Sequence, residues 1–161
     1  MVFAMQDNDI RPPADTADMR RTTQVTIQAD PLAVRAGLQV LFGTDLLQSL
    51  GPDDCGTAEI VLAEALNNIV EHAYAQHSGE IEITLLLHKN ALICRIVDTG
   101  LPMPDKSLPA GHLAEFGPTD DLPEGGFGWF LIRTLSRDLD YRRIDGRNHL
   151  SFRLETGQSP A

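Results

Sequence analysis

Three short strings, in a fixed order, constrain this chain more than anything else in it. The first is Glu64, Asn68 and His72, spaced every fourth residue inside an apolar run. The second is Asp98-Thr99-Gly100, directly after the apolar run from Leu92 to Val97. The third is Gly125-Gly126-Phe127-Gly128, which opens a further apolar run. Side chains four apart on a helix stack on one face, one turn above the next. The first string therefore presents a carboxylate, an amide and an imidazole along one helical stripe. The second puts a carboxylate at the end of a buried strand, and the third puts glycines at a helix start.

The segments between these strings suggest one domain. Residues 1–21 are polar, carry Pro12-Pro13 and read as a flexible tail. Gln24 to Gln28 alternates, with Val25 and Ile27 on one face, as a short strand does. Asp30-Pro31 is a helix start, with Asp30 as cap and Pro31 at the first position. That helix carries Leu32, Leu38, Leu41, Phe42 and Leu46. Gly51-Pro52-Asp53-Asp54 breaks the pattern, and a second helix is expected from about Thr57 to Tyr74. Glu80–Leu87 and Ala91–Val97 read as an antiparallel hairpin across Lys89-Asn90. A third helix is expected over Gly128–Leu139. A last hairpin, Tyr141–Ile144 with His149–Leu154, turns at Asp145–Asn148. Residues 101–124 are proline-rich and aperiodic, and a loop of that length in a small domain is functional or mobile. The expected architecture is α+β, a two-layer sandwich over residues 22–156. Its helices lie on one face of a mixed, mostly antiparallel sheet, and residues 157–161 form a C-terminal tail.

Composition narrows the functional classes. At 161 residues and 42% hydrophobic, the chain can bury a core of its own. A formal net charge of -10 argues against a protein that coats nucleic-acid phosphates. The charge is uneven: Leu101–Glu124 holds five acids against Lys106, and Arg133–Arg153 holds six arginines against three aspartates. A solvated surface is the plainer account of most of these charges. The two cysteines, Cys55 and Cys94, offer neither a disulfide framework nor a CxxC metal site. No run is long and apolar enough to span a membrane, and the N-terminus lacks the layout of a signal peptide. The expectation is a soluble cytoplasmic protein.

Each string has a chemical and a plain reading. A carboxylate one helical turn from an amide can accept a proton from a nucleophile, and an amide oxygen is a hard ligand suited to Mg²⁺. The plain alternative is a polar helix face, which Glu59, Asn67 and Glu71 fit better. Asp98 can accept a hydrogen bond from an exocyclic amine, or simply cap its strand as an Asx turn. Gly100 would let a planar base approach the backbone closely. Glycines at a helix N-terminus suit phosphate, through free N–H groups and the helix dipole, but glycines also serve as hinges. The Walker and dinucleotide-binding spacings are absent.

Taken together, the strings resemble a known family. Glu64-Ala65-Leu66-Asn67-Asn68-Ile69-Val70-Glu71-His72-Ala73-Tyr74 is similar to the N-box of the Bergerat-fold, histidine-kinase-like ATPases, in the form typical of the anti-sigma-factor serine kinases. Asp98-Thr99-Gly100 resembles that family's first glycine box, and Gly125–Arg133 its second. Leu32-Ala33-Val34-Arg35 resembles its arginine-bearing first helix. The resemblance implies an ATP- and Mg²⁺-dependent kinase that binds a sigma factor and phosphorylates an anti-anti-sigma protein on serine. It implies Glu64 as general base, Asn68 on Mg²⁺ and Asp98 on adenine N6. It implies Gly100 beneath the ring, and His72, Gly125, Gly126, Phe127 and Gly128 also about the nucleotide. It implies Arg35 at the partner surface, residues 101–124 as an ATP lid, and a homodimer. A switch that binds nucleotide without transferring phosphate is the alternative. The chain departs from the family pattern at Leu101-Pro102-Met103-Pro104, where a second glycine is common, and at Ser136-Arg137, where an acid is common. On the last strand Leu150 and Ser151 stand near the place of a frequent threonine.

Overall fold

The structure, a computed structural model, describes residues 21–109 and 126–157. Residues 110–125, which include most of the expected lid and Gly125, lie outside the described residues, as do residues 1–20 and 158–161.

Period-two burial builds the sheet. Ile81, Ile83 and Leu85 are each fully buried, as are Leu92, Cys94 and Ile96, while their alternate neighbours face away from the core. These residues lie on β2 (Glu80–His88) and β3 (Ala91–Asp98), the expected hairpin, whose turn places Lys89 at φ 53. With β1 (Thr22–Gln28), β4 (Arg137–Ile144) and β5 (Arg147–Glu155) they make one sheet, ordered β1-β2-β3-β5-β4. Every pairing is antiparallel, which corrects the expected mixed sheet. Two hairpins supply two of the pairings, and among the described residues no strand–helix–strand crossover returns a strand parallel to its neighbour.

Helices α1 (Pro31–Phe42), α2 (Asp45–Gln48), α3 (Pro52–Asn68) and α4 (Gly126–Leu135) supply the second layer. Val34, Leu41, Val61, Leu62, Leu66 and Ile132 join the inward side chains of the sheet in one core. The architecture is the expected α+β sandwich. Cys94 is part of that core, and burial pushes its thiol pKa up, leaving it inert.

Several boundaries differ from expectation, each for a local reason. α1 stops at Phe42, where Gly43 closes it and the Thr44 hydroxyl donates to Leu41 O, so Leu46 belongs to the separate α2. α3 begins at Pro52, because Pro at the first position with Asp53 and Asp54 in the first turn starts a helix as well as it breaks one. Its far end changes at Ile69–Ala73, which form a π-helical turn. α4 ends at Leu135, with the Ser136 hydroxyl donating to Ile132 O. Leu139 imitates the next helical turn but lies on β4. Asp138 at φ 55 makes a bulge there that shifts the β4–β5 register by one residue.

Gly37 lets α1 lie against β1, since a Cβ there would sit 2.5 Å from Ile27 Cγ2. Gly37→Ala should gain up to about 1 kcal/mol of helix propensity and lose about 1–3 kcal/mol to overpacking, lowering the urea midpoint. Gly56→Ala on α3, where nothing lies within 4 Å, should raise it. The two midpoints should move in opposite directions.

Candidate functional site

A cavity of about 480 Å³ opens between the end of α3, the π-helical turn, the segment after β3 and the β4–β5 hairpin. Asn68, His72, Asp98, Trp129, Tyr141 and Asn148 line it among apolar neighbours. The volume falls in the usual range for a small-molecule site.

Asp98 supplies the buried charge. It closes an apolar strand and is 3% exposed. One oxygen, Oδ1, accepts from Gly100 N–H at 2.9 Å and from Asn148 Nδ2 at 2.8 Å. Its other oxygen has no hydrogen bond to the described residues and remains available to a donor in the cavity. Burial raises the carboxyl pKa, and the Asn148 and Gly100 hydrogen bonds, with Arg143 and His149 nearby, oppose that shift.

α3 supplies the ladder. Asn68 is buried, and its Nδ2 has no partner among the described residues. A buried amide left unpaired is costly, so its position on the cavity wall points to a ligand atom as its partner. Glu64, one turn earlier, is half-buried. A Cβ at Gly128 would lie 2.6 Å from Glu64 Oε2 and 3.4 Å from Asn68 Nδ2. A side chain at 128 would push the Glu64 carboxylate from its place beside α4. Glu64 itself lies beside this contact and outside the cavity lining.

The third rung sits differently. His72 falls on the wider π turn and is exposed, although it lines the cavity. That turn has a second task. Ala73 O accepts from Leu101 N at 2.8 Å, and a Cβ on Gly100 would meet Ala73 O at 2.5 Å. Gly100 is thus required by protein backbone, and it is absent from the cavity lining. Tyr74 fixes the next step: its hydroxyl donates to Glu80 O at 2.8 Å and accepts from Thr99 N at 2.9 Å.

The remaining expected residues divide. Gly126 begins α4, whose first N–H groups lack intrahelical acceptors, and Trp129 in its first turn lines the cavity. Phe127 is 48% exposed, its ring 6.2 Å from that of Phe130. Arg35 is exposed on α1 beside a separate groove lined by Val34, Leu38, Phe42 and Glu59, and is not brought to the cavity.

Asn148, Tyr141 and Trp129 were not among the expected site residues. Asn148 is buried and faces Asp98 in the β3–β5 register, while Leu150 also lines the cavity. The one signal for Asn148 was its place just beyond the Asp145-Gly146 turn, where both residues take positive φ. Its partner across the sheet depends on pairing that sequence spacing does not reveal.

Comparison with known proteins fits this geometry. Residues 27–154 match the model of the histidine kinase-like ATPase domain. The chain belongs to that family. Serine-protein kinase RsbW of Bacillus thuringiensis (strain Al Hakam) and that of Bacillus anthracis are each 35% identical to it over 96 residues. RsbW of Bacillus cereus (strain AH187) is 34% identical over the same length. These matches cover 58% of this chain, which spans about 60% of the length of the curated relatives it matches. The family resemblance drawn from the three boxes is borne out, and so is the α+β fold it implied. Among the described residues of this histidine kinase-like ATPase domain, no helix is long and apolar enough to cross a membrane.

The donor set fits the ligand that family name implies. Asn68 offers a hard amide oxygen once its side chain is turned about χ2, and Mg²⁺ characteristically takes few protein ligands beside phosphates. Asp98 offers one uncommitted oxygen for an amine.

Burial raises the pKa of Asp98 in the folded state above its unfolded value. Stability from its neutral form is therefore full below the unfolded pKa and lost as pH rises through the folded one. Raising the pH toward 7 therefore removes stability at this site, because burial disfavours the charged form. Asp98→Asn keeps an oxygen for Gly100 and Asn148, and should raise the melting temperature at pH 7. The gap to wild type should close toward pH 4. Thermal melts at both pH values check this, and a lower melting point for the variant at pH 7 would contradict it.

Proposed function

We propose that this chain binds Mg-ATP in the cavity and is a protein serine kinase and anti-sigma factor. Its substrate is an anti-anti-sigma protein, which it phosphorylates on a serine. The observation that carries the reading is the pairing of a buried, half-committed carboxylate, Asp98, with an unpaired buried amide, Asn68, on the walls of one cavity. The similarity to serine-protein kinases named RsbW supports the kinase assignment.

On this reading Asp98 accepts from the adenine amine through its free oxygen, and the apolar wall around Trp129 and Leu150 shields the base from water. Asn68 holds Mg²⁺, which neutralises phosphate charge when bound. The glycines at the start of α4 admit phosphate oxygens to backbone N–H groups. Glu64 accepts the serine proton as the hydroxyl oxygen forms its bond to the γ-phosphorus and the bond to ADP breaks. Arg35 lies on the partner surface, away from the nucleotide. The family resemblance further implies a homodimer in the cytoplasm.

Incubation with Mg-[γ-³²P]ATP and candidate anti-anti-sigma proteins tests the reading. Wild type should label one of them on serine. Glu64→Ala should cut the labelling rate by at least about 100-fold while ATP affinity stays within about threefold. Tight ATP binding with no label on any candidate would leave a nucleotide-gated binding switch in place of a kinase.

A further inference from the structure

The segment that leaves Asp98 is held to the last hairpin by a directional chain of hydrogen bonds. Met103 N–H donates to the Tyr141 hydroxyl at 3.0 Å, and that hydroxyl donates to Asn148 Oδ1 at 2.6 Å. Arg143 Nη1 donates to the same Oδ1 at 2.9 Å and to Gly100 O at 2.7 Å. The Asn148 amide nitrogen donates to Asp98 Oδ1 at 2.8 Å and to Leu101 O at 2.9 Å, with Gly100 O a longer contact at 3.4 Å. From the other side Ala73 O accepts from Leu101 N at 2.8 Å. Further along, Arg133 Nε donates to Pro109 O at 2.9 Å.

The direction of this chain is fixed by chemistry. Turning the Asn148 amide over would set its NH₂ against the Arg143 guanidinium, which only donates. Its oxygen would then face a carboxylate and a carbonyl, which only accept. With Asn148 Oδ1 as acceptor, the Tyr141 hydroxyl must spend its one proton there, and so accepts from Met103. Aspartate at 148 has the same shape but no donor for Asp98. No other residue type offers that outline with an acceptor on one side and two donors on the other.

Resting on the nucleotide reading above, we infer that Tyr141 and Asn148 are positioning residues for base recognition. They hold the Asp98 carboxylate and the strap Leu101–Met103 in one register, so that one oxygen of Asp98 is committed to protein and the other is aimed at the base. Asp98 touches the ligand; Tyr141 and Asn148 act through it. The consequence is specific. Loss of the chain should harm selection for the amine-bearing base more than it harms nucleotide binding in general, because phosphate contacts at Asn68 and α4 are untouched.

Calorimetric titration with Mg-ATP and Mg-ITP tests this, since hypoxanthine carries a carbonyl where adenine carries its amine. Wild type should prefer ATP. Tyr141→Phe, which keeps the ring and loses only the hydroxyl, should reduce the ATP-to-ITP affinity ratio by about threefold to tenfold. Asn148→Asp should reduce it further, toward unity. A folded Tyr141→Phe protein with the wild-type ratio, even if both affinities fall together, would overturn the inference. If Asn148→Asp does not fold, Tyr141→Phe alone decides the matter. Failure of wild type to bind either nucleotide would overturn the nucleotide reading and this inference with it, a pattern distinct from an unchanged ratio.

Discussion

A carboxylate at the buried end of a strand whose inward side chains are otherwise apolar is the constraint on which the rest of this molecule turns. β3 brings Leu92, Cys94 and Ile96 into the core and then delivers Asp98 into the same interior. Such a charge must be met by hydrogen bonds or not be ionised. Here it is half met: one oxygen has two protein donors and the other has none among the described residues. Meeting it requires a sharp exit at Gly100, which fits only because Gly100 has no side chain to strike Ala73. It also requires the end of α3 to widen into a π turn whose carbonyl receives Leu101. Turns of this kind often mark functional sites, and this one has an identifiable mechanical task.

A second close approach is made by omission at Gly128. A Cβ there would press on the Glu64 carboxylate and touch the Asn68 amide, so this glycine in the first turn of α4 leaves room for both side chains. Sequence alone offers the glycine-rich string two explanations, room for phosphate or a hinge. The structure adds a third, room for the ladder. The first and third are compatible, because the shared result is an open wall with backbone N–H groups and an unpaired amide near each other.

The uneven charge of the chain also finds an explanation. Most arginines of the last third make exposed pairs of modest worth, such as Arg142 with Asp140 and Arg153 with Asp138. Two bond backbone carbonyls of the loop instead: the part-buried Arg143 to Gly100 O, and the exposed Arg133 to Pro109 O. They pin the start of the segment expected as a lid, so residues 101–109 form a fixed wall of the cavity. At Leu101-Pro102-Met103-Pro104, where the chain departs from the family's second glycine, prolines stiffen the backbone and hydrogen bonding adds to what they do. Much was legible beforehand because it is local: the Asp30 cap, the Lys89 turn, the hairpin of β2 and β3, and the three boxes. Elements that depend on partners far along the chain were not. The bulge at Asp138 redirects a residue that keeps helical spacing, and Asn148 becomes a site residue only when β5 pairs with β3. The room that Gly100 leaves for Ala73 is likewise a contact no spacing reveals.

The central claim is that this cavity takes a nucleotide, and the chain's single tryptophan reports on it directly. Trp129 is 4% exposed and lines the cavity wall. Titrating the protein with Mg-ATP while following tryptophan emission should give a saturable change, with a midpoint that shifts to higher concentration when Mg²⁺ is chelated. A folded protein whose Trp129 emission stays unchanged through millimolar Mg-ATP would contradict the assignment of the cavity as the nucleotide site.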